Sequence, residues 1–225
     1  GSNLTRALLA AGARVTVLDN FTTGQPGHLP LHARLAVIDD DLRTTPALDD
    51  LLAESDYVFH LAAQVGNVKS IEDPQGDASA NVMASVRLLD RARRSRVQKL
   101  VYSSSSAIFG EAETLPIDED HRQQPASFYA LSKLTAERYA LLAHELGGVP
   151  AVSLRYFNVF GLPMEQNEYT GVISIFFNRL AAGEGLTIFG DGEQVRDFVS
   201  VDDVVQANLR AALRGREGRV YNIGT

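Results

Sequence analysis

Cysteine and tryptophan are both missing from these 225 residues. Without thiols there is no disulfide framework, no thiolate metal site and no cysteine nucleophile. Long apolar runs are missing too. None approaches the roughly 20 residues of a membrane-spanning helix, so no membrane partner is expected. Positive charge is scarce: 21 Lys and Arg face 28 Asp and Glu, a net charge of −7. That balance argues against a nucleic-acid backbone as partner. Lysine occurs only at Lys69, Lys99 and Lys133. What is present is 45% hydrophobic content, enough at this length to bury a full core as one domain, with room for a small appendage. Neither an internal repeat nor a low-complexity tract interrupts it.

One stretch organises the rest: KLVYSSSSAIFGEAETLPIDEDHRQQPASFYALSK, from Lys99 to Lys133. It opens on a short apolar strand, Leu100 to Tyr102, that runs into four serines, Ser103 to Ser106. A polar loop follows, and near Pro125 a helix begins that carries Tyr129 and Lys133. Tyr-x-x-x-Lys places the two side chains about one turn apart on one helical face. An ammonium there favours a phenolate, which lowers the tyrosine's pKa from about 10. A serine at the neighbouring strand end can hydrogen-bond the same substrate oxygen. These groups form a proton-handling site for oxidising an alcohol or reducing a ketone.

VYSSSSAIFGE followed by PASFYALSK resembles the extended short-chain dehydrogenase/reductase family, and within it the nucleotide-sugar 4-epimerases. The resemblance implies an α/β chain with a Rossmann-like, doubly wound parallel sheet and NAD as cofactor. In that family the catalytic Ser or Thr lies five residues before the glycine of a Tyr/Phe-Gly pair, and counting back from Gly110 gives Ser105. Ser105, Tyr129 and Lys133 are thus the expected catalytic residues. Ser103, at the head of the serine run, is placed with Tyr129 and Lys133 on the cofactor side.

The chain in order fits this scheme, with departures. Residues 2–11 read as a helix ended by Gly12, and Val15 to Leu18 as a strand ending at Asp19. An acidic residue there holds ribose hydroxyls in a dinucleotide fold and disfavours a 2′-phosphate, hence NAD rather than NADP. Gly1 matches the last glycine of the family's Gly-x-x-Gly-x-x-Gly loop, with Asn3-Leu4 continuing the pattern; a Gly1-Ser2 left from cloning is the alternative. The first strand and the rest of that loop are therefore expected upstream. Their absence should leave a cleft in the sheet and weaken both folding and NAD binding.

Leu35 to Ile38 reads as a strand, Pro46 to Ala53 as a helix and Tyr57 to His60 as a further strand. Small residues in Leu61-Ala62-Ala63 let backbone approach a cofactor. His60, at a strand end, reads as a core histidine. Val65 to Pro74 reads as a loop over the site. A helix from Ala78 to Arg94 follows, with Val82, Val86 and Leu89 as its core stripe and its arginines solvated. By the resemblance Asn20, Asp41, Leu42, Asn81 and Phe157 also belong to the cofactor set. Asn158, Phe189 and Arg196 join Ser105 and Tyr129 in holding the substrate, Arg196 as a guanidinium fork for phosphates. No metal ligand set is expected. Gly161-Leu-Pro-Met164 departs from the family's usual Gly-Pro-Arg-Gln. Met164 to Thr170 reads as a loop, 171–182 as a helix, Leu186 to Phe189 as a strand, Val201 to Leu213 as a helix and Val220 to Ile223 as the last strand. The expected division is a Rossmann domain over 1–160, part of a substrate lobe over 161–200 and a return to the Rossmann domain over 201–225.

The resemblance implies inversion at C4 of a UDP-sugar through a transient 4-keto sugar, in a cytoplasmic enzyme that forms a homodimer. Dehydratases of the superfamily carry Asp-Glu just after the catalytic residue, and related decarboxylases a glutamate; here Ser106 and Ala107 stand instead. Those chemistries lose support. A 4-ketoreductase and a non-catalytic dinucleotide-binding protein are the remaining alternatives.

Overall fold

The computed structural model describes residues 1–162, 171–188 and 190–225. Helix α1 (Ser2–Ala10) leads to β1 (Val15–Asp19), which pairs in parallel with β2 (Leu35–Asp39). Gly12, at φ 92°, takes the turn between α1 and β1 that a β-carbon would strain. Helix α2 (Leu48–Ala53), strand β3 (Tyr57–His60) and the short helices α3 (Asn67–Glu72) and α4 (Pro74–Ala78) follow. A π-helical turn, Ser79–Met83, joins α4 to α5 (Ala84–Ala92). Strand β4 (Lys99–Ser105) enters a 3-10 turn, Ser106–Phe109, and a loop leads to α6 (Phe128–Gly147). The chain closes with β5 (Ala151–Tyr156), β6 (Asn158–Phe160), α7 (Val172–Ala181), β7 (Phe198–Ser200), α8 (Val201–Arg214) and β8 (Arg219–Ile223).

The parallel α/β architecture is present, and the sheet is split. Strands β1 and β2 pair only with each other, while β3-β4-β5-β8 form a four-stranded sheet. The split lies between β1 and β3, where the sequence led us to expect a cleft. Strands β6 and β7 make a third, two-stranded sheet.

Strand β4 is the centre of the larger sheet because it is apolar on both faces, as a buried parallel strand must be. Leu100 and Tyr102 face α5 and α6, in a cluster with Leu88, Leu89, Ala136 and Ala140. Val101 faces α8, in a second cluster with Val152, Leu154, Ala211 and Ala212. Each fully buried Val or Leu there contributes about 1.5–3 kcal/mol relative to exposure. Helix α6 starts at a Ser127 cap, whose Oγ accepts from Ala130 N at 3.1 Å, and ends at Gly148 with φ 69°.

Four readings of the sequence need correction. Residues 184–188 form no strand, while Phe189 and the 164–170 segment lie outside the described residues. The stretch from Val65 to Pro74 contains helix α3 rather than loop alone. The helix carrying Tyr129 starts at Phe128, after Pro125 rather than at it, because the Ser127 cap sets its first turn. Finally, the core stripe of the helix before β4 is Asn81, Ala84, Ser85, Leu88, Leu89 and Ala92, with Val82 and Val86 only partly buried. The π turn adds a residue to one turn, so a stripe counted at 3.6 residues per turn slips by one position.

Candidate active site

The four-stranded parallel sheet delivers His60, Ser105 and Tyr156 to its C-terminal strand ends, where open α/β sheets bind ligands, and Asp19 ends β1 of the smaller sheet. Ser105 caps the 3-10 turn: its Oγ accepts from Ala107 N at 3.2 Å. Its hydroxyl also interacts with the Tyr129 phenol, and that interaction favours the ionised phenol. Lys133 lies one turn further along α6 and is 4% exposed. Its Nζ sits 4.7 Å from the centroid of the Tyr102 ring. Among the described residues it makes no hydrogen bond or ion pair.

Electrostatics here follow from burial. Burial lowers the Lys133 ammonium to about 8, opposed by the carboxylates of Asp77 and Glu137. His60 is pushed to about 3, first by burial and then by the charge of Lys133, and is neutral. Its tautomer follows from counting protons. Ser85 Oγ donates its single proton to Asn81 O at 2.6 Å, so it accepts from His60 Nε2–H at 2.8 Å. His60 is thus a satisfied core histidine, as its sequence position suggested.

For Tyr129 the expected direction is reversed. Its phenol is raised above the ordinary value, because burial outweighs the Ser105 hydrogen bond and Asp77 adds its negative charge. Lys133 directs its ammonium over Tyr102 and does not lower the phenol in this arrangement. Spacing brought the two residues to one face but did not fix where the ammonium points.

Other expected cofactor residues divide into two groups. Asp19 Oδ1 accepts from Phe21 N at 2.8 Å, and the loop folds back so that a β-carbon on Gly24 would lie 3.5 Å from Oδ2. Asn20 Nδ2 donates to Asp41 Oδ2 at 2.9 Å, and Arg43 grips the same carboxylate. The Arg43 contact holds the Asp41 carboxyl well below the usual range. Leu42 packs against the core while its carbonyl accepts from Arg87. Around Gly1 a β-carbon would meet nothing within 4 Å. Leu61, Ala62 and Ala63 form the irregular segment after β3, and Ala62 is exposed.

Asn81 and Ser103, by contrast, are committed to the protein. Asn81 is 2% exposed; its Oδ1 accepts from Gln64 N at 2.8 Å, and its Nδ2 faces Gln64 O, Asp77 Oδ1 and Ser132 Oγ at 2.9, 2.9 and 3.1 Å. It staples the segment after β3 to α4 and α6 instead of offering its amide to a ribose. Ser103 Oγ pairs with Tyr156 OH at 3.0 Å, and that phenol continues to Asn208. It turns toward α8, away from Tyr129.

On the substrate side the chain is less converged. Phe157 lies beside Phe109, ring centroids 6.4 Å apart, at the end of β5. Asn158 Nδ2 donates to Asp197 O at 2.8 Å and ties β6 to β7. Arg196 is exposed, and its Nη1 donates to the neighbouring Val195 O at 2.8 Å. No hydrogen bond or ion pair joins it to Ser105, Tyr129 or Lys133 among the described residues. The three catalytic candidates thus meet at the end of β4 and the first turns of α6, with no such bond from Arg196 to them among the described residues.

Two buried donors test whether a dinucleotide fits. Gln64 Nε2, in the segment after β3, is buried without a partner among the described residues. Lys133 Nζ is buried without an acceptor among them, on the helix that Asn81 links to that same segment. Donors left unmatched at strand ends fit an oxygen-rich ligand such as a ribose. The sequence reading missed Gln64, Asp77 and the buried ion pair in which Arg155 Nη2 and Nε donate to Glu137 at 2.7 and 3.0 Å. Only Asp77 had a local signal, its position one turn before Asn81. Among the described residues no group of His, Asp and Glu is placed to hold a metal, and no helix is long and apolar enough to cross a membrane.

Comparison with known proteins places the fold in one family. A putative UDP-glucose 4-epimerase of Methanocaldococcus jannaschii is 37% identical over the whole chain and 73% of its own length. The structure of a UDP-N-acetylglucosamine 4-epimerase from Methanobrevibacter ruminantium superposes with a TM-score of 0.95 at 36% identity, covering all of this chain and 72% of that one. A UDP-glucose 4-epimerase of Thermus thermophilus, solved as a complex with NAD, gives 0.91 at 35% identity, covering all of this chain and 74% of its own. A UDP-N-acetyl-alpha-D-glucosaminuronate decarboxylase of Bacillus cytotoxicus also matches, 30% identical over the whole chain and 71% of its own. The model of the NAD dependent epimerase/dehydratase family matches residues 1–224, and the chain belongs to that family.

Proposed function

We propose that this chain carries the catalytic centre of an NAD-dependent epimerase that inverts C4 of a nucleotide sugar, of the UDP-glucose/UDP-galactose type, through a transient 4-keto sugar. The observation that carries the reading is the convergence of Ser105, Tyr129 and Lys133 at the ends of β4 and α6. Tyr129 takes the proton from the sugar's 4-hydroxyl and later returns it. Ser105 donates to the same oxygen and stabilises the charge that develops there. Lys133 turns its ammonium from the Tyr102 ring to ribose oxygens. NAD, when bound, supplies hydride acceptance and return at C4, together with a cationic ring that favours the phenolate. Asp19 and Gln64 hold its hydroxyls. At Ser106 and Ala107 the chain offers no acid–base pair for dehydration or decarboxylation.

The rest of the proposal concerns surroundings. Phe189 and Arg196 belong to the substrate side, and 161–200 is part of the substrate-binding lobe. The enzyme is cytoplasmic and pairs with a second copy through α6, where Leu131, Tyr139 and Leu142 are each about half exposed. To test the activity, the protein is incubated with NAD and either UDP-glucose or UDP-N-acetylglucosamine, and C4 stereochemistry is followed by proton NMR. Appearance of the galacto sugar without net NADH supports the reading and selects the substrate. Accumulation of NADH or of a 4-keto product, without inversion, overturns it.

A further inference from the structure

The Tyr129–Lys133 pair has a third charged neighbour that the proposed chemistry does not use. Asp77 lies at the C-terminal end of α4, one turn before the π-helical Asn81, and it is 1% exposed. Its Oδ1 accepts from Asn81 Nδ2 at 2.9 Å. Its carboxylate also faces Ser132 and, next to it in sequence, Lys133. A carboxylate this deeply buried is costly unless a cation answers it. Glu137 is the other buried acid near Lys133, but both its oxygens are taken by the Arg155 guanidinium. Asp73 is engaged in capping α4, accepting from Gly76 N at 2.9 Å. That leaves Asp77 as the acid that answers the Lys133 ammonium.

We propose that Asp77 is a positioning residue for this site: its buried carboxylate, fixed by Asn81, is the counter-charge that keeps Lys133 an ammonium inside the protein. The same carboxylate anchors the Asn81 amide that staples the segment after β3 at Gln64. One group thus couples the charge state of Lys133 to the placement of the cofactor-side backbone. The assignment rests on the reading of Tyr129 and Lys133 as the reacting pair.

The groups facing these two charges come from four elements. Asp77 meets Asp73 from the start of α4 and Lys133 from α6. Lys133 meets Asp77, Glu137 on its own helix, His60 on β3 and the Tyr102 ring on β4. His60 is neutral and Glu137 is paired, so neither replaces Asp77. Burial raises the Asp77 carboxyl, and hydrogen bonds from Ser132 and Asn81 together with the Lys133 charge oppose that rise. Removing the Asp77 charge acts in one direction on both partners. Lys133 loses its ammonium at lower pH, and Tyr129, which Asp77 holds up, ionises at lower pH.

With only three lysines in the chain, the test needs no turnover. Protein carrying 13C at lysine Cε is titrated by NMR, the Lys133 signal being identified by its absence in Lys133→Met. Lys133 titrates near 8 in the wild type. In Asp77→Asn, which keeps an oxygen for Asn81, its midpoint falls by about one pH unit. Asp77→Glu restores it toward the wild-type value. The pH profile of sugar inversion in Asp77→Asn moves to lower pH with it, a displacement that lost packing alone does not produce. Lys69 and Lys99 report an intact fold, and Asp77→Ser is read in the same way if the asparagine variant does not fold. A folded variant in which Lys133 titrates as in the wild type overturns the assignment, even with inversion intact. A shifted Lys133 in a protein that never inverts a sugar keeps the assignment of the charge and removes the proposed function.

Discussion

At the scale of single residues, the site is a set of ionisable groups buried from solvent. Tyr129 is the group whose loss should abolish the reaction while leaving the fold. Tyr129→Phe is expected to reduce inversion by at least about 10²-fold, with an unchanged melting transition. Lys133 carries a stability consequence of definite sign. Its pKa in the folded chain is about 8, below its unfolded value of 10.5, so the folded state binds fewer protons between these values. Stability therefore rises as pH increases from 8 to 10.5, and the penalty is fully present below pH 8. Lys133→Met should consequently remove this rise in stability while also removing activity. Urea unfolding at pH 7 and 10 measures the rise in the wild type and its disappearance in the variant. His60 acts at the acid end. With its folded value near 3 and an ordinary value of 6.5, stability declines as pH falls through that window. His60→Gln should flatten that decline.

At the scale of elements, two joints hold the site. The Ser127 hydroxyl caps α6 and donates to Asn67 Oδ1 at 2.9 Å, tying the Tyr129 helix to α3. Ser127→Ala is expected to cost about 1 kcal/mol in stability, measured by denaturant unfolding. It should also raise KM more than it lowers kcat, since α3 loses its tether to the site. Strand β4 and helix α6 were legible in the sequence because their signals are local. A short apolar run ending in serines and a Tyr-x-x-x-Lys on a capped helix need no long-range information. The π turn was not legible. Periodicity assumes one pitch throughout, and a single added residue moves Asn81 and Ser85 inward in place of Val82 and Val86. Nor could the sequence assign Asn81 and Ser103 their partners. Ser132 lies 51 positions from Asn81, and Tyr156 lies 53 from Ser103.

At the scale of the whole molecule, the larger sheet is pinned across its layers by the Arg155–Glu137 pair, both side chains essentially excluded from solvent. Arg155 Nη1 also reaches Glu119 O at 2.8 Å, in the loop between the serine strand and α6, and its guanidinium lies 5.2 Å from the Phe109 ring centroid. Removing one partner strands a buried charge, so Glu137→Ala should destabilise by about 3–5 kcal/mol in thermal or urea unfolding. This joint was also hidden, because Arg155 on β5 and Glu137 on α6 meet only once the helix has docked on the sheet. The split into separate parallel sheets, by contrast, was expected from the family resemblance and not from any local strand signal. The apolar surface of α6 belongs to this scale too. If it pairs with a second copy, sedimentation should give a dimer for the wild type and a monomer for Leu142→Glu.

The central claim is that the Ser105–Tyr129–Lys133 centre inverts C4 by removing and returning the same hydrogen. Incubating the protein with NAD and UDP-galactose in deuterium oxide tests it in one NMR spectrum. The account predicts a gluco sugar that keeps protium at C4, with the reaction absent in Tyr129→Phe. Deuterium at C4 or C5, a 6-deoxy-4-keto product, or inversion that persists in Tyr129→Phe would contradict it.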